Sequence, residues 1–236
     1  MRIISGKYRG TKLFLPPDDS IRPTSDRAKE MIFSTLNSIL SKKKLIFDDM
    51  KVLDLFCGTG GLGIECISRG FKKVCFIDNS KIAIELTKKN LNLIRAQKFA
   101  EIYNSDFRNL KFTPFRADIF FLDPPYNKFK IPEILESIRN SGLINNKSLG
   151  VLELPKSNLQ NKLLHLKIIK EKKISNSLFL FFEINYIIFY QIISLYHQFL
   201  ILHMWGYHDY IVQKKGWIPF FSVNHSFHQL EGLSLL

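Results

Sequence analysis

From Lys51 onward the sequence alternates short apolar runs with amphipathic segments, and this alternation limits the fold more than any other feature. The runs are "KVLDLF" (51–56), "KVCFID" (73–78), "FAEIYNSD" (99–106), "DIFFLD" (118–123) and "SLGVLEL" (148–154). Between them lie "GLGIECISRG", "SKIAIELTKKNLNLI" and "IPEILESIRNSGLI", which carry helical patterning. A strand apolar on both faces must be covered on both faces. The pattern therefore predicts an α/β fold with a mostly parallel sheet and helices on each side. "HLKIIKEKKIS" (165–175) and "SLFLFFE" (177–183) read as a closing antiparallel pair, which makes about seven strands. Upstream, "RIIS" and "TKLFL" flank "GKYRG", predicting a small hairpin within residues 1–20. In the segment 21–50, Pro23 and a Thr24 or Ser25 cap precede Ala28, Met31, Ile32, Thr35, Leu36 and Ile39, the buried face of a helix.

After residue 183 the composition changes. Residues 184–236 hold both tryptophans and five of the six histidines, and Lys214 and Lys215 are balanced there by Asp209 and Glu231. The whole formal charge of +13, from 34 Lys and Arg against 21 Asp and Glu, therefore belongs to residues 1–183. Such an excess favours an anionic partner, nucleic acid before a membrane surface, with a solubilising surface as the plain alternative. Between Ile184 and His208 there is no acidic or basic residue, so the stretch meets the length test for a membrane-spanning helix. Asn185, Gln191, His197, Gln198 and His203 weigh against that reading. The domain expectation is 1–183 as one unit and 184–236 as an aromatic, charge-poor extension. Cys57, Cys66 and Cys75 form no CxxC pair and read as reduced thiols, with no metal site expected. "MRIISGKYRG" lacks the apolar run of a secretion signal, which predicts a cytoplasmic chain.

Three strand ends carry acids. In "VLDLFCGTGGLGIE" the glycines Gly58, Gly60 and Gly63 allow a tight strand-to-helix turn with a ligand against the backbone. Asp54 lies four residues before Gly58, where its carboxylate would repel a pyrophosphate and accept from an amine-bearing or cationic ligand. Asp78 ends the next strand, placed for the two hydroxyls of a ribose, and Asp106 ends the third, placed for an adenine amine. The fourth strand breaks at "DPPY". Its prolines remove two N–H donors, so Asp123 and the Pro124 carbonyl can accept both hydrogens of an exocyclic amine while Tyr126 stacks on the base.

"MRIISGKYRGTKL", "IRPTSDRAKEMIFSTL", "VLDLFCGTGGLGIE", "FIDNS" and "FLDPPY", in that order, resemble the RsmD family over residues 1 to about 183. The resemblance implies a Rossmann-like class I methyltransferase fold. It also implies transfer of a methyl group from S-adenosylmethionine to the N2 amine of one guanine in 16S ribosomal RNA, free or within an assembling small subunit. By it, Asp54, Phe56, Gly58, Thr59, Gly60, Asp78, Asn79, Asp106 and Phe107 would bind the cofactor, and Asp123, Pro124 and Tyr126 would hold the guanine. Arg2, Lys7, Arg9, Arg22, Thr24, Arg27 and Lys128 would meet RNA. A monomer is expected. Two other functions remain open on the residues alone. One is a DNA methyltransferase acting on adenine N6 or cytosine N4, which shares the amine-holding turn; the other is a non-catalytic RNA-binding assembly protein.

Overall fold

The computed structural model describes residues 1–16, 23–111, 114–125, 128–156 and 166–184. Its elements follow the expected alternation. Helix α1 (Asp26–Lys42) is followed by β1 (Lys51–Leu55), α2 (Gly61–Ser68), β2 (Lys73–Asp78), α3 (Lys81–Leu93) and β3 (Ala100–Asn104). After them come β4 (Ile119–Leu122), α4 (Ile131–Asn140), β5 (Leu149–Pro155), β6 (Leu166–Ile174) and β7 (Ser177–Ile184). The strands form one sheet in the order β3-β2-β1-β4-β5-β7-β6. All neighbours from β3 to β5 are parallel, and β7 runs antiparallel to both β5 and β6.

This order fixes where a ligand can sit. The chain moves outward from β1 through β2 to β3, then returns to the other side of β1 for β4 and β5. Right-handed crossovers in opposite directions put α2 and α3 on one face and α4 on the other. The helices part company above β1 and β4, which leaves a crevice at the carboxyl ends of those strands. Both faces are packed. Val52, Val74, Phe76, Ile119 and Phe121 join Ile32, Phe33 and Leu36 of α1 in one cluster. Leu53, Cys75, Phe120 and Leu122, of opposite parity, are buried as well. The three cysteines are free and buried.

The N-terminal hairpin is reduced to a single bridge, Arg2 to Lys12. Ile3 N–H to Thr11, Gly10 N–H to Ile3 and Leu13 N–H to Met1 bond across it, while the donors of Ile4, Ser5, Lys7 and Tyr8 go to α2. The Glu65 carboxylate accepts from the N–H of Ile4 (2.9 Å) and Ser5 (3.0 Å), and Ser68 accepts from Lys7 and Tyr8. Gly6 makes this approach possible: its φ is +81°, and a Cβ there would lie 1.9 Å from the Ser68 carbonyl oxygen. Lys29 of α1 is fully buried at the same junction, where it donates to the Arg2 carbonyl and lies 3.4 Å from Asp26. Burial pulls its ammonium below the ordinary lysine range, against the opposing pull of Glu65 and Asp26. Among the described residues no helix is long and apolar enough to cross a membrane. Residues 185–236, with most of the charge-free run, lie outside the described residues, as do Arg22 and Tyr126.

Candidate active site

The turn after β1 departs from strand geometry at Phe56, whose φ of +63° is rare for a side chain of that bulk. Two backbone donors, Phe56 and Cys57, share the Ile77 carbonyl of β2 at 2.9 and 3.2 Å, which holds the turn open. Gly60 (φ +76°) starts α2, and Gly63 lets that helix lie against β2, where a Cβ would fall 2.3 Å from the Phe76 ring. Asp54 accepts from the Gly63 N–H at 2.9 Å, so the carboxylate anchors the first turn of α2. It is 4% exposed. Burial, with the charges of Asp78 and Asp123 adding to it, raises its pKa to about 7 despite the opposing Gly63 hydrogen bond. Asp78 accepts from Gly58 N–H and Ser80 N–H, both at 2.9 Å, and so ties the glycine turn to the start of α3.

These groups line a cavity of about 520 Å³ that continues to Asp123, Pro124 and Pro125 and is bordered by Pro23, Thr24 and Ser25 at the start of α1. Its far wall comes from the antiparallel side of the sheet, with Glu153, Ser175, Ser177 and Phe179. Four carboxylates, Asp54, Asp78, Asp123 and Glu153, face this space, and no lysine or arginine is among its described lining residues. In a chain of net charge +13 that is a local reversal of sign. It suits a ligand bearing ammonium, sulfonium or amine groups and opposes a pyrophosphate. A sulfonium nucleoside fits this set: an acid for the ribose at Asp78, a glycine turn at a helix start, and buried negative charge nearby.

Of the residues expected from sequence, Asp54, Phe56, Gly58, Thr59, Asp78, Asn79, Asp123, Pro124 and Thr24 line the one cavity. Gly60 shapes the turn beneath it. Asp106 and Phe107 are not among the lining residues. Asp106 caps a short 3-10 turn and takes a two-pronged ion pair from Arg108 (2.8 and 2.7 Å), which holds its pKa down at about 2. The buried Phe107 ring packs edge-on against Phe129 (5.0 Å) and Phe56 (5.9 Å) and supports the cavity wall from behind. Among the basic residues, Arg2 is engaged with Asp26 at 2.9 Å, while Lys7, Arg9, Arg27 and Lys128 are exposed and outside the lining. Phe129 and the β5–β7 wall were not expected. The spacing "DPPYNKF" carries a sign of the first, an aromatic four residues beyond Pro125. Glu153 is hidden in sequence as the tail of an apolar strand.

Known proteins place the chain in a family. The family model described as conserved hypothetical protein 95 matches residues 1–183. The chain belongs to this family, the RsmD family of methyltransferases. YlbH of Bacillus subtilis is 39% identical over 144 residues, 58% of this chain and 73% of its own. Ribosomal RNA small subunit methyltransferase D of Escherichia coli is 31% identical over 156 residues, 65% of this chain and 74% of its own. The solved structure of Escherichia coli yhhF superposes with a TM-score of 0.65 at 25% identity, over 78% of this chain and 97% of that one. The rRNA methyltransferase aviRa of Streptomyces viridochromogenes, at 14% identity and a TM-score of 0.57, shares the fold.

Proposed function

We propose that this RsmD-family chain transfers a methyl group from S-adenosylmethionine to the exocyclic N2 amine of a guanine in small-subunit ribosomal RNA. The observation that carries the reading is the acidic cavity, which joins the glycine turn to Asp123 and Pro124 within an otherwise basic protein. Relatives that bear the name ribosomal RNA small subunit methyltransferase D support the choice of RNA. When bound, the cofactor supplies an electrophilic methyl on a positively charged sulfur. The chain's part is to hold and orient. Asp78 accepts from the ribose hydroxyls, and the Asp54 carboxylate offsets positive charge on the ligand. Asp123 and the Pro124 carbonyl accept the two amine hydrogens, which draws the nitrogen toward a tetrahedral geometry and frees its lone pair from the ring. S-adenosylmethionine held against the glycine turn would supply the methyl group to this lone pair, with the carbon–sulfur electron pair left on the sulfur. The amine proton, acidic only after attack, leaves by way of Asp123 to water. Positioning and electrostatics carry most of the rate under this scheme.

We assign this activity to residues 1–183, the span of the family match, and place it in the cytoplasm, where small subunits assemble. Transfer of labelled methyl groups to small-subunit rRNA from a strain lacking this enzyme tests it. N2-methylguanosine in the digested product is expected. Label in DNA alone, or in another nucleoside, would overturn the proposal.

A further inference from the structure

Three of the four cavity carboxylates have tasks in the scheme above; the fourth, Glu153, has none. Its position is set by strand register. Leu122, the last residue of β4, pairs with Leu152 of β5, so Asp123, the first residue beyond β4, follows beside Glu153 of the adjacent parallel strand. Adjacent strands lie about 4.8 Å apart, roughly the reach between two atoms on one edge of a base with their hydrogen-bond partners. Glu153 pairs across β7 with Phe179, and the Ser177 hydroxyl donates to its Oε1 at 2.6 Å. The serine, one residue from the β6–β7 turn, thereby limits the rotation of the carboxylate. Glu153, Ser177 and Phe179 all line the same cavity as Asp123.

A carboxylate offers acceptors only. Beside a base whose exocyclic amine is held at Asp123, it faces the adjoining ring nitrogen. In guanine that nitrogen is N1, which carries a hydrogen. In adenine and cytosine the ring nitrogen beside the amine is a bare acceptor, and a carboxylate there meets lone pair with lone pair. Uracil has a ring N–H but no amine. Guanine alone among the four RNA bases shows an amine and a ring N–H side by side. Resting on the function proposed above, we propose that Glu153, oriented by Ser177, is the subsite that reads the N1–H of the target base and so selects guanine. Phe179, opposite Glu153, gives this subsite an apolar flank, which strengthens the discrimination by keeping water from the bond.

The test uses the full chain and small-subunit RNA whose methylated position has been mapped, carrying either guanine or 2-aminopurine there. The second base keeps the 2-amino group but has a bare N1. Wild-type protein should favour guanine. Glu153→Gln, whose amide also offers a donor, should lower kcat/KM on guanine roughly 10- to 100-fold, the loss expected for a charged hydrogen bond. Its turnover of 2-aminopurine should hold or rise, and its cofactor Kd should stay within about twofold of wild type, because the change lies outside the cofactor contacts. A Glu153→Gln protein that keeps the wild-type ratio of the two bases refutes the subsite, whatever its absolute rate. Should that variant fail to fold, Ser177→Ala provides the same ratio: a shift toward 2-aminopurine supports the proposal and an unchanged ratio overturns it. Failure of the parent reading looks different, since wild-type protein would then form no N2-methylguanosine at all.

Discussion

With a sulfonium cofactor bound as proposed, the buried carboxylate of Asp54 should make that cofactor's affinity a function of pH. In the free protein its pKa is raised to about 7, first by burial and then by Asp78 and Asp123. A ligand bearing positive charge prefers the ionised form, so below that pKa binding must expel a proton. The apparent dissociation constant is the intrinsic one divided by the ionised fraction. That fraction is roughly 0.1 at about pH 6 and roughly 0.75 at about pH 7.5, so affinity should rise on the order of eightfold between them. Isothermal titration in two buffers of different ionisation enthalpy measures both the affinity and the protons released. Asp54→Asn removes the titration and should flatten the profile in this range, at a lower plateau. The same shift acts on folding with a defined sign. The folded apoprotein keeps a proton that the unfolded chain, with an ordinary Asp near 3.8, has already lost. The contribution of this group to stability is therefore full below about pH 4 and declines as pH rises toward about 7. An affinity that varies less than twofold across the range, or varies equally in Asp54→Asn, would refute the assignment.

Asp123→Ala should abolish methyl transfer while leaving cofactor binding nearly intact, measured by single-turnover kinetics beside calorimetry; because its charge adds to the elevation of Asp54, the pH profile of binding should also move to lower pH. Asp78→Ala should weaken cofactor binding by about 1–3 kcal/mol, the range for charged hydrogen bonds, with a smaller effect on the rate at saturation. Gly6→Ala forces a Cβ to within 1.9 Å of a backbone oxygen at a positive φ, and the resulting loss of the contacts at buried Glu65 should cost about 3 kcal/mol. In thermal unfolding that is a fall of roughly 6–12 °C for a domain of this size, and a midpoint within about 2 °C of wild type would contradict the docking described.

Much of the fold was legible because a buried parallel strand and an amphipathic helix leave different periodicities. The seven strands and the helices between β1 and β5 follow the apolar runs read from Lys51 to Glu183. The glycine turn and Asp123 were legible for a local reason, since their chemistry is carried by residues adjacent in sequence. Partnership between distant residues was not. Nothing in "RIIS" says that the N–H groups of Ile4 and Ser5 are spent on a glutamate some sixty residues away, so the docking of the hairpin is hidden in the sequence. Nothing in "NSDF" shows that Arg108, two residues on, turns back to pair with Asp106. Glu153 enters the site only through the register of β5 against β4 and β7, a property of the sheet rather than of any one strand.

The docking of the first residues onto α2 also orders events in time. A chain emerges from the ribosome with its N-terminus first, yet Ile4, Ser5 and Tyr8 find their partners 60 or 61 positions later, and Phe14 bonds Asn90 across 76. For several seconds of synthesis, at about 5–20 residues per second, this segment has nothing to dock on. The Met1 sulfur, which rests against Gly61 and Thr59, closes on the glycine turn only after that wait. Residues made well before their partners thus wait to be seated, and the wall of the candidate site matures with them.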